Sequence, residues 1–487
     1  MIDTRRASLA ASIAIVLVLG DAFVSGSVAQ SIRRRAVAVS GSGIDSSFFG
    51  IHINKQGSPW PTFTPFGSYR TLGSSIKWAD IETCDGGSDP TNACYQWQRF
   101  DQWINQARNH GADVMFTLFA TPSWASSRGS RCVAAGVPDA GCTGAADLTC
   151  VFQQQNGPGV CDPPSDIDAI PGSGRGDGTN KHFRDFVTAL VTHAGAGTIR
   201  YWEIWNEPNI STEWTGTNAQ MVRMARDART IVRSSDSTAQ FTTPAVANAT
   251  TAAKNWLQPY LLAGGGDLAD VIAFHGYVQT GACPDQCPVP ENEITLVDNV
   301  HSVAAAAGQQ SKPLFDTEVS WGEKSAFTDA AARQAFTGRM YLLSMSSGVT
   351  RLYWYGLDFP ISSTGGSGEF WAPSGNPDGC GVAAPEGGDL CPAGVAVQQI
   401  ARWTIGAQFS SPCAASGTTW TCGLTALGGY QAIAVWDTSG ATVLFPVPAQ
   451  YFRLRTLDGT ALTMDPALNR TIPAGATRIL LQPISRN

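Results

Sequence analysis

Short apolar runs alternate along this chain with longer segments whose apolar residues recur at three- and four-residue spacing, the pattern of repeated strand and helix units. Eight runs read as strands: near Phe48 to Ile53, Arg70 to Ile76, Val114 to Phe119, Arg200 to Trp205, Phe241 to Val246, Val271 to Phe274, Pro313 to Thr317 and Arg351 to Tyr355. Eight is the number that closes a (β/α)8 barrel. Between them, Trp97, Phe100, Ile104 and Ala107 keep helical spacing until His110-Gly111 stops it, and Phe183, Phe186, Val187, Leu190 and Val191 do the same after the third strand. Asn218 is placed to cap a helix carrying Met221, Val222, Ala225 and Val232, and Thr328 one carrying Ala332, Phe336, Met340 and Leu343.

Two insertions rich in Gly, Pro and Cys, from about Ser126 to Thr179 and from about Phe359 to Cys391, follow strands and so belong to the face of a barrel where loops shape a cleft. From about Ala407 the pattern changes to short β-like runs with turns between them, as in Ala441 to Phe445, Tyr451 to Leu457 before Asp458-Gly459, and Ala476 to Gln482. The expected architecture is α/β: a (β/α)8 TIM barrel over residues 44–405 and a small C-terminal β-sandwich over 406–487. Trp420, Tyr430 and Trp436 are expected to pack that domain's core or its seam with the barrel rather than to form a sugar platform.

The N-terminus carries Arg5-Arg6, an apolar stretch from Leu9 to Leu19 and Ser27-Val28-Ala29, the layout of a secretory signal peptide over 1–29, with a linker over 30–43. The paired arginines loosely resemble a twin-arginine signal, but the general export route is favoured. The apolar stretch is too short for a membrane span, so a secreted or periplasmic protein without a membrane partner is expected. Twelve cysteines fall as sequence neighbours. In an exported chain they read as disulfides. Neighbour pairing is the simplest connectivity of many: Cys84 with Cys94, Cys132 with Cys142, Cys150 with Cys161, Cys283 with Cys287, Cys380 with Cys391, and Cys413 with Cys422. A zinc site at Cys283 and Cys287 lacks a second ligand pair nearby. A formal charge of -7 and the absence of basic runs argue against a nucleic-acid partner and fit a neutral or weakly charged ligand.

Chemistry concentrates at two strand ends. Trp202-Glu203-Ile204-Trp205 runs into Asn206-Glu207-Pro208, where the proline stops the ladder and leaves a carboxyl group at the rim. Leu314-Phe315-Asp316-Thr317-Glu318 ends likewise, with Trp321 close behind. Breaking an acetal needs a carboxylic acid to protonate the leaving oxygen and a carboxylate to attack or stabilise the anomeric carbon. Glu207 and Glu318 are the candidates. Glu203 sits deeper on the same face, where its charge needs a partner such as Arg70 or Lys77; Asp316, one pleat below Glu318, is the rival nucleophile.

Strands four and seven ending in glutamates, with Asn206-Glu207-Pro208 on the first, resemble the clan of retaining (β/α)8-barrel glycoside hydrolases. Tyr201 to Asn209, Ala120 to Ser126 and Asp316 to Trp321 look most like family 39 and its relatives. The resemblance implies Glu207 as acid/base, Glu318 as nucleophile and Asn206 on the sugar's 2-hydroxyl. His275 and Tyr277 match a position that orients the nucleophile, and Arg70 and Trp354 match further clan positions. Trp321 and Trp354 are expected as stacking platforms for a sugar face. No cofactor and no metal are implied: strand one reads His52-Ile53-Asn54 instead of paired histidines, and the six histidines are scattered. A non-catalytic sugar-binding barrel, a transglycosidase using the same residues and a metal-dependent barrel hydrolase are the alternatives. Sugar, linkage and oligomeric state are not legible in the sequence.

Overall fold

Eight parallel strands form the central barrel: β1 (Phe49–Ile51), β2 (Ser68–Arg70), β3 (Asp113–Leu118), β4 (Tyr201–Ile204), β5 (Gln240–Thr242), β6 (Ile272–His275), β7 (Leu314–Val319) and β8 (Val349–Trp354). Sequence neighbours pair from β1 to β5 and from β6 to β8, and β1 pairs with β8. Bridges between Thr242 and Val271 and between Val246 and Phe274 join β5 to β6 and close the ring. This computed structural model describes residues 43–127, 150, 153–170, 175–278, 287–322, 327–359, 367–375, 380–441, 443–463, 471–473 and 479–482. The expected signal peptide, the linker up to residue 42 and the Cys132–Cys142 pair lie outside them.

Helices α1 (Gln98–Asn109), α2 (Lys181–Ala194), α3 (Asn218–Ser235), α4 (Asn292–Ala306), α5 (Ala330–Ser346) and α6 (Pro392–Thr404) surround the strands, with a further helical run over 249–268. They bury the periodic apolar faces read from the sequence, among them Phe100, Trp103 and Ile104 on α1 and Phe183, Phe186 and Leu190 on α2. Two caps differ by one position from expectation. Thr217 opens α3, its hydroxyl accepting from Gln220 N, and Asp329 opens α5, its carboxylate accepting from Ala332 N. In each case the preceding or following Thr or Asp is the residue with extended backbone, which is what a cap requires. The second strand also ends earlier than expected, because Thr71–Ser74 forms a 3-10 turn and Ser75 is left-handed at φ 54°.

The C-terminal part is β9 (Ala407–Ser416), β10 (Thr419–Ala426), β11 (Tyr430–Asp437), β12 (Leu444–Pro446), β13 (Arg453–Thr456), β14 (Ala461–Thr463), β15 (Thr471–Pro473) and β16 (Ile479–Gln482). Six of these make one antiparallel sheet in the order β9-β10-β11-β16-β13-β14, and β12 pairs with β15. One face of the large sheet, with Cys422, Leu424, Ala434 and Trp436, is continuous with the barrel's core. The seam is hydrogen-bonded: Tyr430 Oη donates to Trp403 O (2.9 Å) and Trp436 Nε1 to Glu291 Oε1 (2.8 Å). Trp420 and Trp436 stack with centroids 5.8 Å apart. The other face buries Val435 with Val447, Tyr451 and Leu454, and Phe445 packs against this cluster, which gives the second layer of the sandwich.

Four disulfides link described residues: Cys84–Cys94, Cys150–Cys161, Cys380–Cys391 and Cys413–Cys422. All four are the neighbour pairs expected. Cys287 is also disulfide-bonded, which removes its thiolate from any zinc site; Cys283 lies outside the described residues.

Candidate active site

The end of β4 is bent by its own backbone. Trp205 and Glu207 both have left-handed φ, 64° and 43°, a conformation that costs a non-glycine residue on the order of 1–3 kcal/mol and persists only where the surroundings enforce it. Here they do: Trp205 N donates to Leu118 O (3.1 Å), Trp205 Nε1 to Glu213 O (2.9 Å) and Glu207 N to Ala245 O (2.9 Å). Pro208 cannot continue the strand. Asn206 and Glu207 therefore leave the ladder at the C-terminal rim of the barrel.

Arg70, the last residue of β2, gathers the site. Its Nε donates to Glu203 Oε2 (2.7 Å), Nη1 to Glu318 Oε2 (2.8 Å) and Nη2 to Asn206 Oδ1 (2.8 Å). Thr117 Oγ1 also donates to Glu203 Oε2 (2.7 Å), so the deep carboxylate has the partners its burial demands. Tyr277 Oη donates to the other Glu318 oxygen, Oε1 (2.9 Å). His275 Nδ1 lies 2.7 Å from Glu207 Oε1. One carboxylate oxygen of Glu207, one of Glu318 and one ring nitrogen of His275 all lie within 4.8 Å of one another.

The two carboxyl groups are wired differently. Burial pushes Glu207 up to about 7, with Arg70 pulling weakly the other way. Burial also raises Glu318, opposed by the Arg70 charge and by the Tyr277 hydroxyl, and by His275 only where that imidazole is protonated. A guanidinium and a phenol on one carboxylate favour its ionised form, whereas among the described residues the side chain bonded to Glu207 is an imidazole. That imidazole is itself pushed down to about 4 by burial and is neutral at pH 7. Glu318 is thus the member suited to carry negative charge, and Glu207 the member suited to hold a proton. Arg70 keeps its charge because Glu203 and Glu318 outweigh its own burial.

The structure brings together Glu207, Glu318, Asn206, Arg70, His275 and Tyr277 as the sequence expects. His275 and Tyr277 divide the role assigned to them jointly: only Tyr277 touches Glu318, and His275 bonds Glu207. Trp321 and Trp354 are corrected as platforms. Both are fully buried; Trp354 stacks on Phe370 and Tyr341, donates Nε1 to Gly368 O (2.6 Å), and packs edge-on to Trp321. Core apolar burial outcompetes cleft exposure for both rings. Asp316 is corrected as a rival to Glu318. A register slip between Phe274–Asp316 and His275–Glu318 turns it out of line with Glu318, and its Oδ1 accepts from Gly276 N (2.9 Å) while burial, with Glu293 of α4 adding to it, holds its carboxyl group well above the usual range.

Sequence reasoning passed over Glu213. It lies in the loop after β4, buried, and burial together with Glu207 and Glu318 pushes it up to about 9. The signal was available as a lone acid beside Trp214 in the loop after a rim glutamate.

The model of a family described as "Cellulase (glycosyl hydrolase family 5)" matches residues 84–356. No curated protein matches the chain. Among solved structures, the chain is similar to a family 39 glycoside hydrolase from Bacteroides cellulosilyticus WH2, at 14% identity over 90% of this chain and 81% of that one, TM-score 0.61. It is also similar to a glucosidase from Croceicoccus marinus (13%, 91% and 96%, TM-score 0.56) and a monomeric β-xylosidase from Caulobacter crescentus CB15 (14%, 91% and 97%, TM-score 0.55). At these identities the likeness is one of fold. The clan resemblance read from the strand ends is thereby carried, with family 5 as the matching family and family 39 among the similar folds.

Proposed function

Because this chain belongs to the cellulase (glycosyl hydrolase family 5) family, a glycoside hydrolase family acting on carbohydrate, we propose that it is a secreted retaining glycosidase working by double displacement. The observation that carries this reading is the approach of Glu207 and Glu318 to within 4.8 Å at single oxygens. Double displacement wants its carboxyl groups about 5–5.5 Å apart, whereas direct displacement by water leaves about 6.5–9.5 Å. Glu318, held by Arg70 and Tyr277, attacks the anomeric carbon as Glu207 delivers its proton to the leaving oxygen. Water then takes the sugar from Glu318 with Glu207 as base. Double displacement by two carboxyl groups needs no metal, and the Arg70 guanidinium against Glu318 repels a cation from that carboxylate. Export is supported by the signal-like N-terminus and the disulfides.

Glucosides and xylosides are the first substrates to offer, since a glucosidase and a β-xylosidase share the fold. The test is NMR of the first-formed sugar. Retained anomeric configuration is expected, and an inverted product removes Glu318 as nucleophile.

A further inference from the structure

Strand β7 carries one residue more than either neighbour at the point where it delivers Glu318. Against β6, Asp316 pairs with Phe274 and Glu318 with His275, so two steps on β7 match one. Against β8, Asp316 pairs with Leu352 and Val319 with Trp354, so three steps match two. Both counts place a bulge at Thr317–Glu318. A bulge interrupts the ladder and re-aims a side chain, and the backbone groups it frees need other partners. Two buried side chains supply them. Asp316 Oδ1 accepts from Gly276 N at 2.9 Å, beside the 3.1 Å bond of the same N–H to Glu318 O. Thr317 O lies 2.9 Å from His52 Nε2; a carbonyl only accepts, so Nε2 carries the proton. His52 directly follows β1, two strands from β7, and its own N–H donates to Trp354 O at 3.0 Å.

We propose that Asp316 and His52 are positioning residues that clamp this bulge and thereby aim Glu318 at the reacting carbon. The inference rests on the glycosidase reading and deepens it. Gly276, held by Asp316, sits between the two residues that bond the catalytic pair: His275 on Glu207 (2.7 Å) and Tyr277 on Glu318 (2.9 Å). One backbone N–H thus sets both contacts. A Cβ at 276 would lie 2.2 Å from Asp316 Oδ2, so glycine is what lets the carboxyl group lie against the chain. Both clamps are fully buried, and each keeps one polar atom without a hydrogen-bond partner, Asp316 Oδ2 and His52 Nδ1. Apolar side chains avoid that cost, so packing alone gives no reason for an acid and an imidazole here. Burial, with Glu293 adding to it, raises Asp316 well above its usual range, and burial lowers His52 well below its own. The neutral form is favoured in both, so they orient Glu318 without adding charge beside it.

The experiment compares wild type, Asp316→Ala, Asp316→Asn and His52→Leu on the best substrate from a panel of aryl glycosides. Asp316→Ala and His52→Leu each lose about 10- to 100-fold in kcat, with KM moved by less than about threefold. The acid limb of kcat/KM, which reports ionisation of Glu318 in the free enzyme, moves up by about 0.5 to 1 pH unit as the Tyr277 contact loosens. Asp316→Asn stays within about threefold of wild type, because its amide oxygen accepts from Gly276 N in the same place. Asp316→Ala combined with Tyr277→Phe costs less than the product of the two separate losses, since both act through one contact. Where Asp316→Ala does not fold, His52→Leu carries the kcat and acid-limb readings. An unmoved acid limb in a folded clamp variant, fully multiplicative losses with Tyr277→Phe, or an asparagine variant as damaged as the alanine variant overturns the assignment. A wild-type enzyme inert on the whole panel overturns the glycosidase reading instead.

Discussion

The proposed division of labour between Glu207 and Glu318 rests on what each carboxyl group touches. Glu318 accepts from a guanidinium and a phenol, while Glu207 meets a neutral imidazole in a buried setting. As general acid, Glu207 is useful only while protonated, so kcat/KM should fall as pH rises through about 7. A pH–rate profile on a substrate with a poor leaving group checks this; an alkaline limb beyond pH 9 would falsify the assignment. On an activated aryl glycoside, Glu207→Ala should regain turnover when azide is added, because azide attacks the glycosyl-enzyme without a base. Arg70 offers a separate test. Replacing it with methionine leaves Glu203 and Glu318 buried without their cation, and denaturant unfolding should report a loss of about 3–5 kcal/mol.

At the level of elements, the sequence announces what repetition and punctuation announce. The eight strands, the Asn206-Glu207-Pro208 stop and the neighbour disulfides were legible because each follows from a local rule. What local rules miss is the register. The slip between β6 and β7 redirects Asp316 towards Glu293 and brings Glu318 level with His275. The same blindness covers Trp321 and Trp354, whose positions beside the rim say nothing of the Phe336, Tyr341 and Phe370 rings that surround them. Glu213 depends on how a loop folds back over the bent end of β4. Gly276 shows how tight this region is: a Cβ there would sit 2.2 Å from Asp316 Oδ2. Gly276→Ala should therefore displace the segment carrying His275 and Tyr277. A fall in kcat of at least about tenfold is expected, since small misplacements of catalytic groups are costly; unchanged kinetics would show that the segment yields freely.

Across the whole molecule, buried carboxyl groups set how stability responds to pH. Burial raises Glu82 to about 7, Glu293 to about 8 and Glu213 to about 9, and holds Asp316 well above its usual range. Glu82 knits the loop after β2, accepting from Trp78 Nε1 (2.7 Å), Gly86 N (3.0 Å) and Tyr95 Oη (3.0 Å). Glu293 joins α4 to α5 through Ser344. Because the folded pKa of each lies above the unfolded value, the folded state keeps protons that the unfolded chain releases. Their stabilisation is complete below about pH 4.5 and is lost as pH rises through about 7, 8 and 9, at a slope of up to about 1.4 kcal/mol per pH unit for each proton. Asp270 and Asp437 act in the opposite sense: their lowered values favour folding above the ordinary aspartate range and lose that effect only in stronger acid. The two groups together place the stability maximum in mild acid, between about pH 4 and 6. Calorimetric Tm should decline steadily from pH 5 to 9, and Glu293→Gln, which keeps the Ser344 bond without a titrating proton, should flatten the part of that decline near pH 8. A Tm that is level or climbs across this range would mean that these carboxyl groups are charged in the folded protein, and with them the proton that Glu207 must hold for catalysis.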